Sequence, residues 1–354
     1  MKGKHIFAGN NTSKGFFNCF NSIFQPSKLN QFYILKGGPG VGKSSFMKKF
    51  AAEISKKGYF VEYIHCSSDD ESLDGIIIPD LKLAFVDGTA PHATDPSIPG
   101  AVDEILNFGS FLNSSQLEKH KHKIIQINQT KARLYKSAYR YLQAAGIISE
   151  EINSLYTQFI DADKFNETCL RATKKLFEDD IYLQKTAEVK NLFSEAYTSN
   201  GYINRTEALY EGKKVWAIIS ESTAYISDFM KRISDEAVKR GFDVEIYLHP
   251  LTPDKLQHVY IPEKNIFITS SENCVSDNFE EIFDIHQIMD ADNLKKHISE
   301  IESNLHMHEL LIKNALKKLS EGKKYHEILE IFYINSMNFK GVDELFNNIL
   351  REYT

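Results

Sequence analysis

Four cysteines in 354 residues, Cys19, Cys66, Cys169 and Cys274, none in CxxC spacing, exclude a disulfide framework and a cysteine-ligated zinc site. Proline is also scarce, with nine in the whole chain, so proline-rich linkers and recognition segments are absent. There is no excess of positive charge: 42 Lys and Arg against 48 Asp and Glu leave a net charge of −6 and nothing to draw a polyanion to the molecule as a whole. No run approaches the roughly 18 apolar residues that a membrane helix needs, and Met1 to Asn10 lacks the apolar stretch of a leader. These absences imply a globular protein, with no membrane partner, in a reducing cytoplasm. What remains is 42% hydrophobic and 25% charged residues, an ordinary balance for a packed chain of about two domains' length.

Within that balance one segment stands out. The apolar run Gln31 to Lys36 reads as a strand and leads into Gly37, Gly38, Pro39, Gly40, Val41, Gly42, Lys43 and Ser44, which fits GxxxxGK[ST]. From Ser45 to Lys56, Phe46, Phe50 and Ile54 recur every four residues, so a helix follows and ends near Gly58. Each residue type has a physical reason. Glycines let successive amides curl around an anion, the helix start adds partial positive charge, a lysine neutralises phosphate and a hydroxyl reaches a Mg²⁺ ion. The expected phosphate-binding residues are Gly37 through Ser45, with Lys43 also catalytic.

A second apolar run, Tyr59 to His65, is followed by the acidic turn Asp69, Asp70 and Glu71, which orients a second substrate or is a solvated turn. Leu81 to Asp87 reads as a buried parallel strand ending in an acid, so Asp87 is the expected metal-managing carboxylate, with Ser44 the other metal contact. The turn-rich loop beyond it contains Thr89 and His92, candidates for orienting the terminal phosphate or the attacking group.

The chain is also similar to itself. At an offset of 183, twelve of the 36 positions from Ser44 to Pro79 recur between Ser227 and Pro262, including the Phe-Met-Lys at 46–48 and 229–231. The match extends backwards at an offset of 186, where Thr12, Ser13 and Gly15 recur as Thr198, Ser199 and Gly201, and more weakly forwards at 177. The second copy replaces Gly37, Gly38, Gly40, Gly42 and Lys43 by Ser220, Glu221, Thr223, Tyr225 and Ile226, and Asp87 by Ser270. It should keep the fold and lose the anion site.

The expected fold is therefore α/β, with two tandem halves, 1–195 and 196–354, each a parallel sheet with flanking helices followed by a helix-rich region. Those regions are expected from about Ala101 to Thr198, counting Val102, Ile105 and Leu106, and from about Asn278 onward. Between Glu118 and Arg140 lie seven basic residues and one acid, with Arg133, Lys136 and Arg140 on one helical face. That face is solvated, or lends cations to a transferring phosphate, or gives nucleic acid its one local foothold on an otherwise disfavouring chain.

The intact loop, the Phe-Val-Asp-Gly-Thr-Ala-Pro-His segment at 85–92, the 95–104 run and the duplicated layout resemble a little-characterised bacterial family of tandem P-loop ATPase or nucleotide-kinase-like proteins. Gly37 to Ser44 carry the wider resemblance to the P-loop NTPase superfamily. The departures at 220–227 set this chain apart from the family's two-loop pattern. The intact loop and its loss downstream point to ATP with Mg²⁺ in the first half, hydrolysis being the default, and to a structural or regulatory second half; the family name itself supplies no substrate. The alternatives are phosphotransfer to a small-molecule acceptor, and a non-catalytic ATP sensor with a protein or nucleic-acid partner.

Overall fold

The computed structural model describes residues 3–91, 93–178, 180, 182–270 and 279–353. The first repeat contains β1 (Lys4–Phe7), β2 (Gly9–Thr12), β3 (Gly15–Asn18), α1 (Phe20–Ile23), β4 (Gln31–Lys36), α2 (Lys43–Lys56), β5 (Glu62–His65), β6 (Leu73–Ile78), β7 (Leu83–Asp87), β8 (Asp103–Asn107), α3 (Ser114–Glu118), α4 (Lys121–Thr157) and α5 (Ala162–Phe177). The second repeats the order with β9 (Val189–Leu192), β10 (Glu195–Thr198), β11 (Gly201–Asn204), α6 (Thr206–Tyr210), β12 (Lys214–Ile219), α7 (Thr223–Lys239), β13 (Val244–Leu248), β14 (Leu256–Ile261), β15 (Ile266–Ser270), β16 (Glu281–Asp284), α8 (Ala291–Leu294), α9 (Ile298–Ile334) and α10 (Phe339–Arg351). β4 to β7 recur as β12 to β15 at the offset of 183, β2 and β3 as β10 and β11 at 186, and α4 as α9 at 177, each of these two helices 37 residues long.

Two six-stranded sheets result, ordered β1-β5-β6-β7-β4-β8 and β16-β12-β15-β14-β13-β9. They are mixed, which corrects the expectation of parallel sheets: β6 runs against β5 and β7, and β14 against β13 and β15. The reason is chain length. Residues 66–72 and 79–82 are all that join β5 to β6 and β6 to β7, whereas a parallel crossover takes about a dozen residues or more. The strand carrying the glycine loop, β4, is parallel to both its neighbours, β7 and β8.

A second correction concerns the stretches taken for helix. Asp103–Asn107 and Glu281–Asp284 are edge strands, and Glu195–Thr198 pairs with β11 in a two-stranded ribbon. On β8 only Asp103 and Leu106 are buried, so its apolar residues mimic helical spacing.

Strand alternation sorts the core into layers. Phe32, Ile34, Ala84 and Val86 face a central core shared with Val215, Tyr247 and Phe267 of the other sheet. Tyr33, Leu35, Leu83 and Phe85 face outward onto Phe46 and Phe50 of α2. Burial on both faces explains why these strands are unbroken apolar runs. Phe7 and Phe193, equivalent at the offset of 186, exchange both backbone hydrogen bonds (2.9 and 3.0 Å), so a pseudo-twofold axis passes between them.

The helices cross that axis. α4 and α9 are antiparallel: Lys131 meets His326 near one end, and the Phe159 ring lies 5.3 Å from that of His297 near the other. Their seam repeats the same spacing, Ala138, Leu142, Ala145 against Ala315, Leu319, Gly322, and a Cβ on Gly322 would stand 2.8 Å from the Tyr135 ring. Each helix thereby delivers its successor to the opposite half. Phe165 and Cys169 of α5 pack with Phe229 and Ile233 of α7, while Val342 and Ile349 of α10 pack with Phe46 and Phe50 of α2. Among the described residues no helix is long and apolar enough to cross a membrane.

Candidate phosphate-binding site

β4 is buried through Leu35 and releases the chain at Lys36 between two parallel neighbours, so Gly37 begins a loop at the carboxyl edge of the sheet. Gly40 and Gly42 have φ of +70° and +94°, the left-handed region that favours glycine, and Gly42 caps α2. Val41 is buried beneath the loop, and Pro39 and Gly38 are half-buried at its crest. Lys43 is only 8% exposed. Its ammonium folds back onto the Gly37 and Gly38 carbonyls (2.8 and 2.9 Å) and stands 3.4 Å from Asp87 Oδ2.

The remaining candidates gather around this pair. Asp87 ends β7 beside β4, and its Oδ1 accepts hydrogen bonds from the Thr89 amide (3.0 Å) and the Thr89 hydroxyl. Ser44 Oγ accepts from the Leu73 amide at 3.0 Å, and Ser45 is exposed on the first turn of α2. The neighbouring loop is fixed by buried Asp103, whose Oδ2 accepts from the Ser97 and Ile98 amides (2.5 and 2.6 Å), while Lys36 bonds Asp95 at 3.0 Å. His92 lies outside the described residues.

Sequence reasoning missed the other half's contribution. The last turns of α9 lie directly against the glycine loop. A Cβ on Gly38 would stand 2.5 Å from the Tyr333 ring, and one on Gly40 would meet the Glu330 carbonyl (3.0 Å) and Ile334 (3.1 Å). The Glu330 carboxylate lies 3.6 Å from His326 Nε2, whose Nδ1 lies 3.2 Å from Lys131 Nζ. Burial, followed by the charges of Asp69 and Glu327, holds the Glu330 carboxyl above its usual range, opposed by Gly40 and Lys43. His326 is pushed down to about 4 by burial and then by Lys131, and burial lowers Lys131 itself.

Of the basic run only Lys131 reaches this cluster; Arg133, Lys136 and Arg140 are exposed to solvent. Asp69 and Asp70 are taken up by the other half. Lys323 bonds Asp69 (2.8 Å), and Asn200 bonds Asp70 (2.8 Å) with Arg205 3.8 Å away. Burial opposes the Asp69 charge, but the bonds from Lys323 and Ser72 keep its carboxyl below the usual range.

The second copy shows the same place without its glycines. α7 starts at Thr223, three residues before the Lys43 equivalent, with Ser222 as its cap. Asn153 of α4 occupies the loop: its Oδ1 accepts from the Ala224 amide (3.2 Å) and its Nδ2 donates to Thr223 Oγ1 (2.8 Å). Glu221 binds His286 at 2.6 Å. Ser227 Oγ accepts from Leu256 at 3.0 Å, the counterpart of Ser44 with Leu73, so that contact belongs to the fold rather than to phosphate binding.

No family model, no curated protein and no solved structure matches the chain.

Proposed function

We propose that the first half binds Mg²⁺-ATP on Gly37–Ser45 and hydrolyses it, the second half serving as scaffold and regulator. What carries the reading is the contrast between two copies of one fold: the intact loop keeps glycines at positive φ beside a buried lysine, whereas in the altered loop Asn153 takes the Ala224 amide and bonds the Thr223 hydroxyl. The loop amides and Lys43 would surround the β- and γ-phosphates, with Lys43 released from the carbonyls of Gly37 and Gly38 to do so.

The donor set fits magnesium, which takes a hydroxyl, one or two carboxylates and substrate phosphates rather than an all-protein cage. Ser44 Oγ and Asp87 are those donors, and the Thr89 bonds hold the Asp87 carboxylate in orientation. When bound, the ion would neutralise charge on the phosphates. Thr89 stands beside Asp87, where it can help orient the attacking group. Water is the default acceptor, because the acids suited to a second substrate, Asp69 and Asp70, are engaged in interhalf bonds.

Phosphate release from purified wild type and Lys43→Ala tests this reading. We expect ATP- and Mg²⁺-dependent release that falls by two orders of magnitude or so in the variant, the scale on which lost transition-state charge stabilisation acts. Equal turnover in both proteins would end it, and acceleration by an added hydroxyl acceptor would convert it to phosphotransfer.

A further inference from the structure

The second half sets two large apolar side chains against the glycine loop, and both stay open to solvent. Ile334 closes α9 and Phe339 opens α10, and they are 44% and 40% exposed. A Cβ on Gly40 would stand 3.1 Å from Ile334 Cγ1, and one on Gly42 would stand 3.5 Å from Phe339 Cε1. The duplication supplies a control. At the offset of 177, which carries α4 onto α9 and the start of α5 onto that of α10, their counterparts are Thr157 and Ala162. Tyr225 stands there in place of Gly42, and its ring packs edge-on against Phe165 with centroids 4.5 Å apart. Exposed apolar side chains thus meet the loop that kept its glycines, whereas the altered loop has a threonine and an alanine at the same positions.

The sheet fixes which flank of the loop they occupy. β4 has β7 on one side and β8 on the other. Asp87 ends β7, and Asp69 and Asp70 lie between β5 and β6 on that same side, so the β7 flank is charged. The turn after β8 brings Phe108 and Gly109 against Gly37 and Phe111 against Gly341 of α10, which places Phe339 on the β8 flank. A triphosphate with its terminal phosphate toward Lys43 and Asp87 would follow the loop amides to the start of α2, where Ser45 is exposed, and leave its nucleoside beside Phe339. A heteroaromatic ring finds there an apolar surface with an aromatic side chain in it. One exposed apolar side chain needs no explanation, but two that meet an anion cradle from the opposite half form a surface with a use.

We propose that Ile334 and Phe339 form the wall against which the base of the nucleotide packs, so that one ligand is held by both halves, its phosphates by the loop of the first and its base by the α9–α10 corner of the second. The proposal rests on the nucleotide reading above and adds the residues that separate a nucleotide from other polyphosphates. Phe339→Ala removes the aromatic ring, Phe339→Trp keeps one, and Ile334→Ser removes the aliphatic part of the wall. None of these changes alters Lys43, Ser44 or Asp87.

The test is calorimetric titration of Mg²⁺-ATP, and of Mg²⁺-tripolyphosphate as the same phosphates without a base, into wild type, the three wall variants and Lys43→Ala. Phe339→Ala should weaken ATP about tenfold, within the range that stacking on an aromatic side chain supplies, and leave tripolyphosphate unchanged. Ile334→Ser should weaken ATP alone in the same way, Phe339→Trp should bind ATP like wild type, and Lys43→Ala should weaken both ligands. ATP binding unchanged in both Phe339→Ala and Ile334→Ser, with Lys43→Ala defective, would overturn the wall while leaving the phosphate site standing. Equal loss of ATP and tripolyphosphate in Phe339→Ala would also overturn it, because the ring would then act through the loop rather than on the base. No binding of ATP by wild type, or equal ATP binding by wild type and Lys43→Ala, would remove the nucleotide reading and the wall with it.

Discussion

Gly38→Ala probes the helix exchange at its most sensitive contact. Gly38 is not in the left-handed region, so alanine brings no backbone penalty, and the whole effect must come from the new methyl group. That methyl would stand 2.5 and 2.8 Å from two atoms of the Tyr333 ring, closer than carbon atoms pack. The ring belongs to the core that joins α9 and α10 to α2, so it cannot simply swing into solvent. Overpacking of this kind costs about 1–3 kcal/mol. In a Tyr333→Ala background the obstacle is gone, and the cycle should show a coupling of about 1–2 kcal/mol. Gly40→Ala supplies the contrast. Its penalty includes a φ of +70° and contact with the backbone carbonyl of Glu330, which no truncation at 330 removes. Urea denaturation of the four proteins of the Gly38–Tyr333 cycle measures this. Additivity within about 0.5 kcal/mol would mean that α9 does not lie on the loop in solution, and the interhalf site would fall.

Acid should destabilise the fold through its buried histidines. His65 and His249 are both held down to about 4 by burial, against an ordinary value of 6.5, so below pH 6.5 the unfolded chain binds protons that the folded chain refuses. Their stabilisation is complete above about pH 6.5 and is lost as pH falls toward 4, amounting to about 1.4 kcal/mol each at pH 5.5. Chemical denaturation between pH 5 and 8 should show that slope, with a smaller share from the more exposed His326, and His65→Gln should reduce it by about a third to a half; an unchanged slope would refute the assignment. Asn153→Ala should lower stability by about 1–2 kcal/mol through the lost cap on the second loop, measurable in urea, whereas a change under about 0.3 kcal/mol would mean that Asn153 does not hold that loop.

The loop and the duplication were legible because both are local. Gly37 to Ser44 announce themselves by residue type, and the recurrence of Phe-Met-Lys at 46–48 and 229–231 marks equivalent turns of α2 and α7. The antiparallel β6 was readable in principle from the four residues between Ile78 and Leu83. β8 was not, because an edge strand with two buried side chains presents Val102, Ile105 and Leu106 at helical intervals. The exchange of α5 and α10 lies beyond any local pattern. An apolar face such as Val342 and Ile349 specifies that it must be covered, and either α2 or α7 offers an aromatic surface to cover it. Glu330, His326 and Lys323 therefore read as solvated helix residues until the pseudo-twofold brings Glu330, with its partner His326, to the glycine loop and Lys323 to Asp69.

The claim that the chain has one working nucleotide site, and that it is the first, is tested most directly by a structure with Mg²⁺ and a nonhydrolysable ATP analogue. The account predicts the β-phosphate ringed by amides of Gly40 to Ser44, Lys43 turned from the loop carbonyls onto the phosphates, and the metal between Ser44 and Asp87. Analogue bound at Ser220–Ile226, or anywhere that leaves the glycine loop untouched, would contradict it.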